Sequence, residues 1–121
     1  MREDVQAWWG RAERDLDTAR YLLSGKRYED AAVYAQQAAE KALKAVSLRQ
    51  GKAIRKIHDL VKLGKDVGLP GSLLEQAKEL TLAYAYGRYP DVPGAEEIQS
   101  IAADFIDSAE EILQWAKRNL A

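Results

Sequence analysis

The segment from residue 84 to residue 91 concentrates side chains suited to holding a ligand. It contains Tyr84, Tyr89 and a third tyrosine together with Arg88 and Asp91. A glycine and a proline in the same segment predict an irregular backbone, from which binding groups commonly project. Arginine forms paired hydrogen bonds with phosphate, while tyrosine rings stack on bases. The segment therefore predicts a site for a nucleotide or for the end of a single-stranded RNA.

The single histidine is the residue to which any histidine acid–base chemistry must be assigned. His58 is followed directly by Asp59, and histidine is the side chain that most readily exchanges protons near neutral pH. Adjacent residues of a helix do not face one another, so this adjacency alone does not predict a catalytic pair. We expect His58 to position the ligand site, and it is the candidate catalytic residue if the chain has any catalytic activity.

Basic residues are concentrated between residues 41 and 65. This stretch has eight Lys and Arg residues and one acid, whereas the whole chain has a formal net charge of -1. Lys41 and Lys44 lie within one helical turn of each other, and several cations on one face can hold a polyphosphate or an RNA backbone. We expect this basic face to form an anion-binding cleft together with the segment from residue 84 to residue 91.

Each of these features also has a structural interpretation, which the residues alone leave open. A histidine near the start of a short helix can pack there and hydrogen-bond a backbone group. The basic face can be a solvated surface balanced by an acidic last helix, and Arg88 can pair with Asp91 or with an acid of that helix. The tyrosines would then cap the end of a bundle, and the chain would be a purely structural dimerisation module.

The composition excludes several classes of site. The 121 residues include no cysteine and one histidine, so a disulfide, a thiolate metal site and the imidazoles of a usual zinc or di-iron centre are not available. We therefore expect no metal and no other cofactor. No phosphate-binding glycine loop is present. Because there is neither a membrane-length apolar run nor a signal-peptide pattern, we expect a cytoplasmic protein that does not enter the membrane.

The elements that must position these residues are helices. Apolar residues recur every three or four positions and predict helices over about 3–24, 28–49 and 58–68, a fourth that begins with a capping box at Ser72, and a fifth that ends near Asn119. No alternating strand pattern occurs. Residues 1–121 are therefore predicted to form one all-α domain, an up-and-down antiparallel bundle of four long helices and one short helix.

Two adjacent tryptophans predict a surface contact. Trp8 and Trp9 cannot both lie on one narrow apolar stripe of the first helix. At least one indole should therefore cover the end of the bundle or a partner chain. We predict a homodimer.

Three short sequence blocks occur in an order that identifies a family resemblance. They are residues 38–45, with the sequence Ala-Ala-Glu-Lys-Ala-Leu-Lys-Ala, then His58-Asp59-Leu60, and then Arg88-Tyr89-Pro90-Asp91. The three blocks together resemble the signature of the HEPN family, the higher eukaryotes and prokaryotes nucleotide-binding domains, and the resemblance covers nearly the whole chain. It implies a helical bundle that usually dimerises.

The resemblance implies a nucleotide-binding protein that is the non-catalytic companion of a separately encoded minimal nucleotidyltransferase, in a toxin–antitoxin-like pair. In this interpretation Arg88 and Lys41 hold phosphate, and His58 positions the site. Tyr84 or Tyr89 stacks on the base. The residues carried over from the family blocks are Lys41, Lys44, His58, Asp59 and the turn from Arg88 to Asp91.

A metal-independent endoribonuclease toxin is the alternative that the same family implies. The ribonuclease branch relies on an arginine followed, after four to six residues, by a histidine on a late helix. In this chain no histidine follows Arg88, and Arg55 precedes His58 by only three positions. We therefore expect a non-catalytic or weakly catalytic protein, with RNA cleavage by His58 and a basic residue as the alternative.

Overall fold

The computed structural model describes residues 2–83, 85, 90 and 97–121. Within these residues it contains five α-helices and no strand: α1 (Glu3–Ser24), α2 (Tyr28–Arg49), α3 (Leu60–Val67), α4 (Gly71–Thr81) and α5 (Ile98–Leu120). The predicted all-α bundle is confirmed. Four of the predicted site residues, namely Tyr84, Arg88, Tyr89 and Asp91, lie outside the described residues.

Helix α2 is the central element of the bundle. It packs against α1, α3, α4 and α5. Its fully buried alanines, among them Ala35, Ala38 and Ala42, let neighbouring backbones approach closely because they add little volume at the helix surface. Several charged or polar side chains on this helix are therefore enclosed by other helices. None of the helices in the described part of the chain is long and apolar enough to span a bilayer.

Asp59 sets the start of α3. Its carboxylate oxygen Oδ1 accepts hydrogen bonds from the backbone N–H of Val61 at 3.0 Å and of Lys62 at 3.2 Å. This cap satisfies two of the donors that a helix start leaves without intrahelical partners. Helix α3 consequently begins at Leu60, and His58 lies in the segment before the helix, whereas the sequence pattern had placed it in the helix itself.

The start of α4 differs from the sequence expectation. The N-cap is Pro70, which has φ -59° and ψ 153° and provides no side-chain hydrogen bond, and Gly71 is the first helical residue. The capping box predicted at Ser72 is therefore wrong, because Ser72 already lies inside the first turn. The fixed φ of proline is compatible with the extended residue that precedes a helix.

A glycine in α3 allows α3 and α4 to pack closely. A Cβ atom at Gly64 would lie 2.9 Å from Leu69 Cδ2 and 3.0 Å from Leu74 Cδ2, so a side chain at this position would require the two leucines to shift. The chain then leaves α3 through Gly68, whose φ of 86° is unfavourable for residues with a side chain. This tight pair holds the beginning of α3 near the end of α4, where the cleft described below is found.

Candidate functional site

A buried carboxylate on α2 joins side chains from two segments of the chain. Glu40 Oε1 accepts a hydrogen bond from Gln36 Nε2 at 3.2 Å and lies 2.7 Å from His58 Nδ1, while Glu40 Oε2 lies 3.0 Å from Lys44 Nζ. The side chains of Glu40 and Lys44 are only 9% and 6% exposed. Burial of a charge is tolerable when an opposite charge and hydrogen bonds accompany it. We call Gln36, Glu40, Lys44 and His58 the Glu40 cluster.

The Glu40 cluster fixes the orientation of the histidine. A carboxylate accepts hydrogen bonds and cannot donate them, so the proton between Glu40 and His58 belongs to His58 Nδ1. The backbone carbonyl of His58 also accepts from Gln36 Nε2 at 3.5 Å. Helix α2 thus holds both the backbone and the ring of His58, with the Nδ1 edge of the imidazole facing Glu40.

The histidine ring borders a cleft between the start of α3 and the end of α4. The cleft has a volume of about 420 Å³ and is lined by His58, Asp59, Thr81, Leu82 and Ala85. The His58 side chain is 69% exposed. Small-molecule sites in proteins usually occupy roughly 300 to 1,000 Å³, so the cleft has room for a nucleotide. We call these five lining residues the His58 cleft.

The His58 cleft offers both polar and apolar groups to a ligand. The imidazole can exchange a proton, and the hydroxyl of Thr81, which donates to Ala77 O at 2.9 Å, can still accept a hydrogen bond. Leu82, at 56% exposed, is a large apolar surface beside them. Within the described residues no group of three or more imidazole or carboxylate side chains is placed to hold a metal ion.

A second buried carboxylate, on α1, binds a different set of cations. Asp15, whose side chain is 3% exposed, forms a short ion pair with Lys41 Nζ of α2 and lies 3.5 Å from Arg11 Nε. We call Arg11, Asp15 and Lys41 the Asp15 cluster. Two cations thus share a single carboxylate, in contrast to the one-to-one pair of Lys44 and Glu40.

The structure separates the cations that the sequence assigned to one binding face. Lys44 is enclosed in the Glu40 cluster, Lys41 belongs to the Asp15 cluster, and neither lysine lines the His58 cleft. Farther along the chain, Arg55 NH1 lies 2.7 Å from Asp66 Oδ2. The predicted contact between the basic face and the segment from residue 84 to residue 91 lies outside the described residues.

The two carboxylates that organise these clusters were not recognised in the sequence. Asp15 lies on the same face of α1 as the buried residues Ala12, Leu16 and Ala19. An acid within an apolar helix face is the sequence signal that predicts a buried carboxylate there. Glu40 follows Gln36 at helical spacing in an alanine-rich helix, and both are buried. A polar pair at that spacing in a helix of small residues indicates an enclosed network.

The two adjacent tryptophans line different surfaces. Trp8 lines a depression with Arg11 and Lys41, whereas Trp9 lines a groove between α1 and α5 with Leu113 and other residues. Both rings are partly buried and pack against the core. The sequence argument that the two rings cannot share one stripe is therefore confirmed, while the homodimer inferred from it stays a prediction.

Comparison with known proteins identifies the family. The HEPN domain model matches residues 5–120, which is nearly the whole chain, and the chain belongs to the HEPN domain family. None of the curated proteins matches it.

Solved structures agree with this assignment. An archaeal HEPN homologue is 32% identical, with each chain covered over 100% of its length and a TM-score of 0.83. A protein from Thermus thermophilus is also 32% identical, with 98% of this chain and 100% of that one covered and a TM-score of 0.88. A HEPN domain protein from Thermotoga maritima is 26% identical over 93% of this chain and 95% of its own, with a TM-score of 0.78.

Proposed function

We propose that this HEPN domain protein binds a nucleotide, or the end of a single-stranded RNA, in the His58 cleft. The proposal rests on one observation. Glu40 holds His58 Nδ1 at 2.7 Å from within the bundle, and the same ring borders a cleft large enough for a nucleotide. An imidazole that is already oriented from behind can donate to or accept from a ligand with little further loss of conformational entropy.

The neighbouring sequence supplies the chemistry for the rest of the ligand. Ala85 lines the cleft and lies within the segment that contains Tyr84, Tyr89, Arg88 and Asp91. In the proposal Arg88 holds the phosphate and a tyrosine stacks on the base. Asp91 accepts hydrogen bonds from the sugar or the base. Arginine suits phosphate because its planar guanidinium matches two oxygens at once.

The two lysines of helix α2 do not line the His58 cleft, and in this proposal neither binds the ligand there. The Lys44 cation is matched by Glu40 inside the bundle, so its role is to hold the carboxylate that orients His58. Lys41 is paired with Asp15 and does not line the cleft. Phosphate binding in the His58 cleft is therefore assigned to Arg88.

The partners proposed for the chain follow from the family. We propose that it forms a cytoplasmic homodimer and acts as the non-catalytic companion of a separately encoded nucleotidyltransferase, in a toxin–antitoxin-like pair. Membership of the HEPN family supports this assignment. Coexpression with a nucleotidyltransferase encoded next to its gene should give a complex that survives gel filtration, and sedimentation of the chain alone should give a dimer. Elution of the two proteins as separate monomers would contradict both proposals.

A metal-independent endoribonuclease is the second candidate function, and the Glu40–His58 pair is the observation that favours it. An imidazole oriented by a carboxylate can act as a general base on a ribose hydroxyl. Cleavage of a short RNA in the presence of EDTA, lost in His58→Asn, would establish this function. Intact RNA after incubation with the wild-type protein would exclude it and leave the binding function.

Calorimetric titration tests the nucleotide-binding function. ATP, GTP and a short single-stranded RNA should be titrated into the wild type, Arg88→Ala and Arg118→Ala. Arg118 lies exposed in the last turn of α5, so its variant controls for the loss of one positive charge. We expect Arg88→Ala to weaken binding by about 1.5 to 3 kcal/mol, the range for a lost charge-assisted contact. Absence of heat in the wild type, or equal losses in the two variants, would contradict the proposal.

A further inference from the structure

The Asp15 cluster has more positive charge than its carboxylate can neutralise. Arg11 and Lys41 share Asp15, whose side chain is almost fully buried, whereas the side chain of Arg11 is 56% exposed. Among the described residues, Asp15 is the one ion-pair partner of Arg11, and the nearest contact between them is from Arg11 Nε to Asp15 Oδ1, at 3.5 Å. Because more than half of the Arg11 side chain is exposed, an anion from solution can reach its guanidinium.

An indole ring lies beside these cations. Trp8 is partly buried against the core, and Lys44 Nζ lies 5.7 Å from the centroid of its ring. A cation at this distance is attracted to the ring and helps to hold it in place. A depression of about 350 Å³ is lined by Ala7, Trp8, Arg11 and Lys41. We call these four residues the Trp8 depression.

We infer that the Trp8 depression binds a nucleoside monophosphate. The ligand must bring a flat aromatic group for the indole and an anion for Arg11 and Lys41, and a base joined to a phosphate has both. The depression also has the size of a small-molecule site, for which roughly 300 to 1,000 Å³ is usual. A free sugar lacks the anion, and a free phosphate makes no use of the ring.

The Trp8 depression is separate from the His58 cleft. Among the described residues, the two sites share no lining residue. The enclosed pair of Lys44 and Glu40 lies between them, since Lys44 contacts Trp8 and Glu40 contacts His58. The inference therefore does not depend on the function proposed above. It predicts two nucleotides per chain if both sites exist, and each site can be removed by substituting its own arginine.

Calorimetric titration with AMP separates the two sites. The variants are Arg11→Gln for the Trp8 depression, Arg88→Ala for the His58 cleft and Arg14→Gln as the control, since Arg14 is an exposed arginine on α1 three positions from Arg11. We expect two AMP molecules per wild-type chain. Arg11→Gln should weaken one of the two binding events by about tenfold to a hundredfold, the equivalent of one charge-assisted contact, and Arg14→Gln should leave both unchanged.

The remaining outcomes decide between the two sites. Binding of one AMP that is lost in Arg88→Ala and unaffected in Arg11→Gln would overturn the Trp8 site and keep the proposed function. Binding of one AMP with the reverse response would keep the Trp8 site and overturn the His58 cleft. Loss of binding in Arg14→Gln to the same extent as in Arg11→Gln would overturn the Trp8 site, because a general effect of charge would then explain both.

Tryptophan fluorescence tests the stacking contact directly. Stacking of a base on Trp8 should quench its emission, so AMP should quench the wild type and Trp9→Phe, and Trp8→Phe should lose this response. Trp9 is the matched control because it is adjacent in α1 but lines another groove. Equal quenching in Trp8→Phe and the wild type would overturn the site. Displacement of AMP by an equal concentration of inorganic phosphate would also overturn it, because the base would then contribute nothing to binding.

Discussion

The Glu40 cluster and the Asp15 cluster are built alike but differ in charge balance. Each cluster has one buried carboxylate, Glu40 on α2 or Asp15 on α1, and this carboxylate contacts the cationic or polar side chains of the cluster. Glu40 faces one enclosed lysine, Lys44, with an amide and an imidazole completing its hydrogen bonds. Asp15 faces two cations, and Arg11 is largely exposed. The balanced cluster orients a side chain at a cleft, whereas the unbalanced one leaves cationic surface for a ligand.

The comparison shows why counting charges along a sequence does not identify a binding face. Lys41 and Lys44 are three positions apart on the same helix. Lys41 nevertheless belongs to the Asp15 cluster and is 19% exposed, whereas Lys44 is buried beside Glu40. A cation that is itself buried beside a buried carboxylate, as Lys44 is, contributes mainly to structure, because separating the pair would leave an uncompensated charge inside the protein. The member of each cluster with the largest exposed fraction is Arg11 in one and His58 in the other.

The largest effect is expected from Glu40→Ala. This change leaves the Lys44 cation without its counter-charge at a position that is 6% exposed, and breaking a buried pair in this way costs about 3 to 5 kcal/mol. Urea denaturation followed by circular dichroism measures the loss. The double variant Glu40→Ala and Lys44→Met removes both charges and should recover a large part of it. If Glu40→Ala lowers the free energy of unfolding by less than Asp15→Asn does, the Glu40 cluster is not the more strongly stabilising of the two, and the comparison is contradicted.

A smaller effect is expected from Asp15→Asn. Arg11 and Lys41 can extend into water when the carboxylate charge is removed, because their side chains are 56% and 19% exposed. The free energy of unfolding should fall by about 1.5 kcal/mol, the lower end for hydrogen bonds to charged groups. AMP should then bind more tightly at the Trp8 depression, because its phosphate no longer competes with Asp15 for the cations. Weaker AMP binding in a folded Asp15→Asn protein would count against that site.

The smallest effect is expected from Arg20→Gln. Arg20 NH2 lies 3.2 Å from Glu110 Oε2, but both side chains are more than two-fifths exposed, at 44% and 43%. Water and salt screen such a pair, so the change in stability should stay below about 0.5 kcal/mol. Thermal unfolding at low and at high salt provides the measurement. A loss comparable with that of Asp15→Asn would show that burial does not set the order of these effects.

The helical frame was predictable because it depends on local pattern. The predicted spans 3–24 and 28–49 coincide with α1 and α2, since apolar periodicity and stop signals are read within a few turns. The beginnings of α3 and α4 were less accurate. The N-cap of α3 is Asp59 and that of α4 is Pro70. Because several residues near each start can precede or cap a helix, the pattern alone does not identify the first helical residue.

The partners within the site were not predictable from local pattern. Lys41 and Asp15 are 26 positions apart, and His58 and Glu40 are 18 positions apart. These contacts depend on how α2 packs against α1 and against the segment before α3, and the pattern of a single helix does not contain that information. The sequence nevertheless predicts His58 as a site residue, because it is the one histidine of the chain.

The most direct test of the His58 cleft is nuclear magnetic resonance of the 15N-labelled Arg11→Gln protein during titration with ATP. This background removes the proposed contribution of the Trp8 depression. The account predicts saturable shifts in the backbone amides of Asp59, Leu82 and Ala85 and in the imidazole nitrogens of His58, since all four residues line the cleft. Shifts confined to the groove between α1 and α5, or the absence of any shift at saturating ATP, would contradict it.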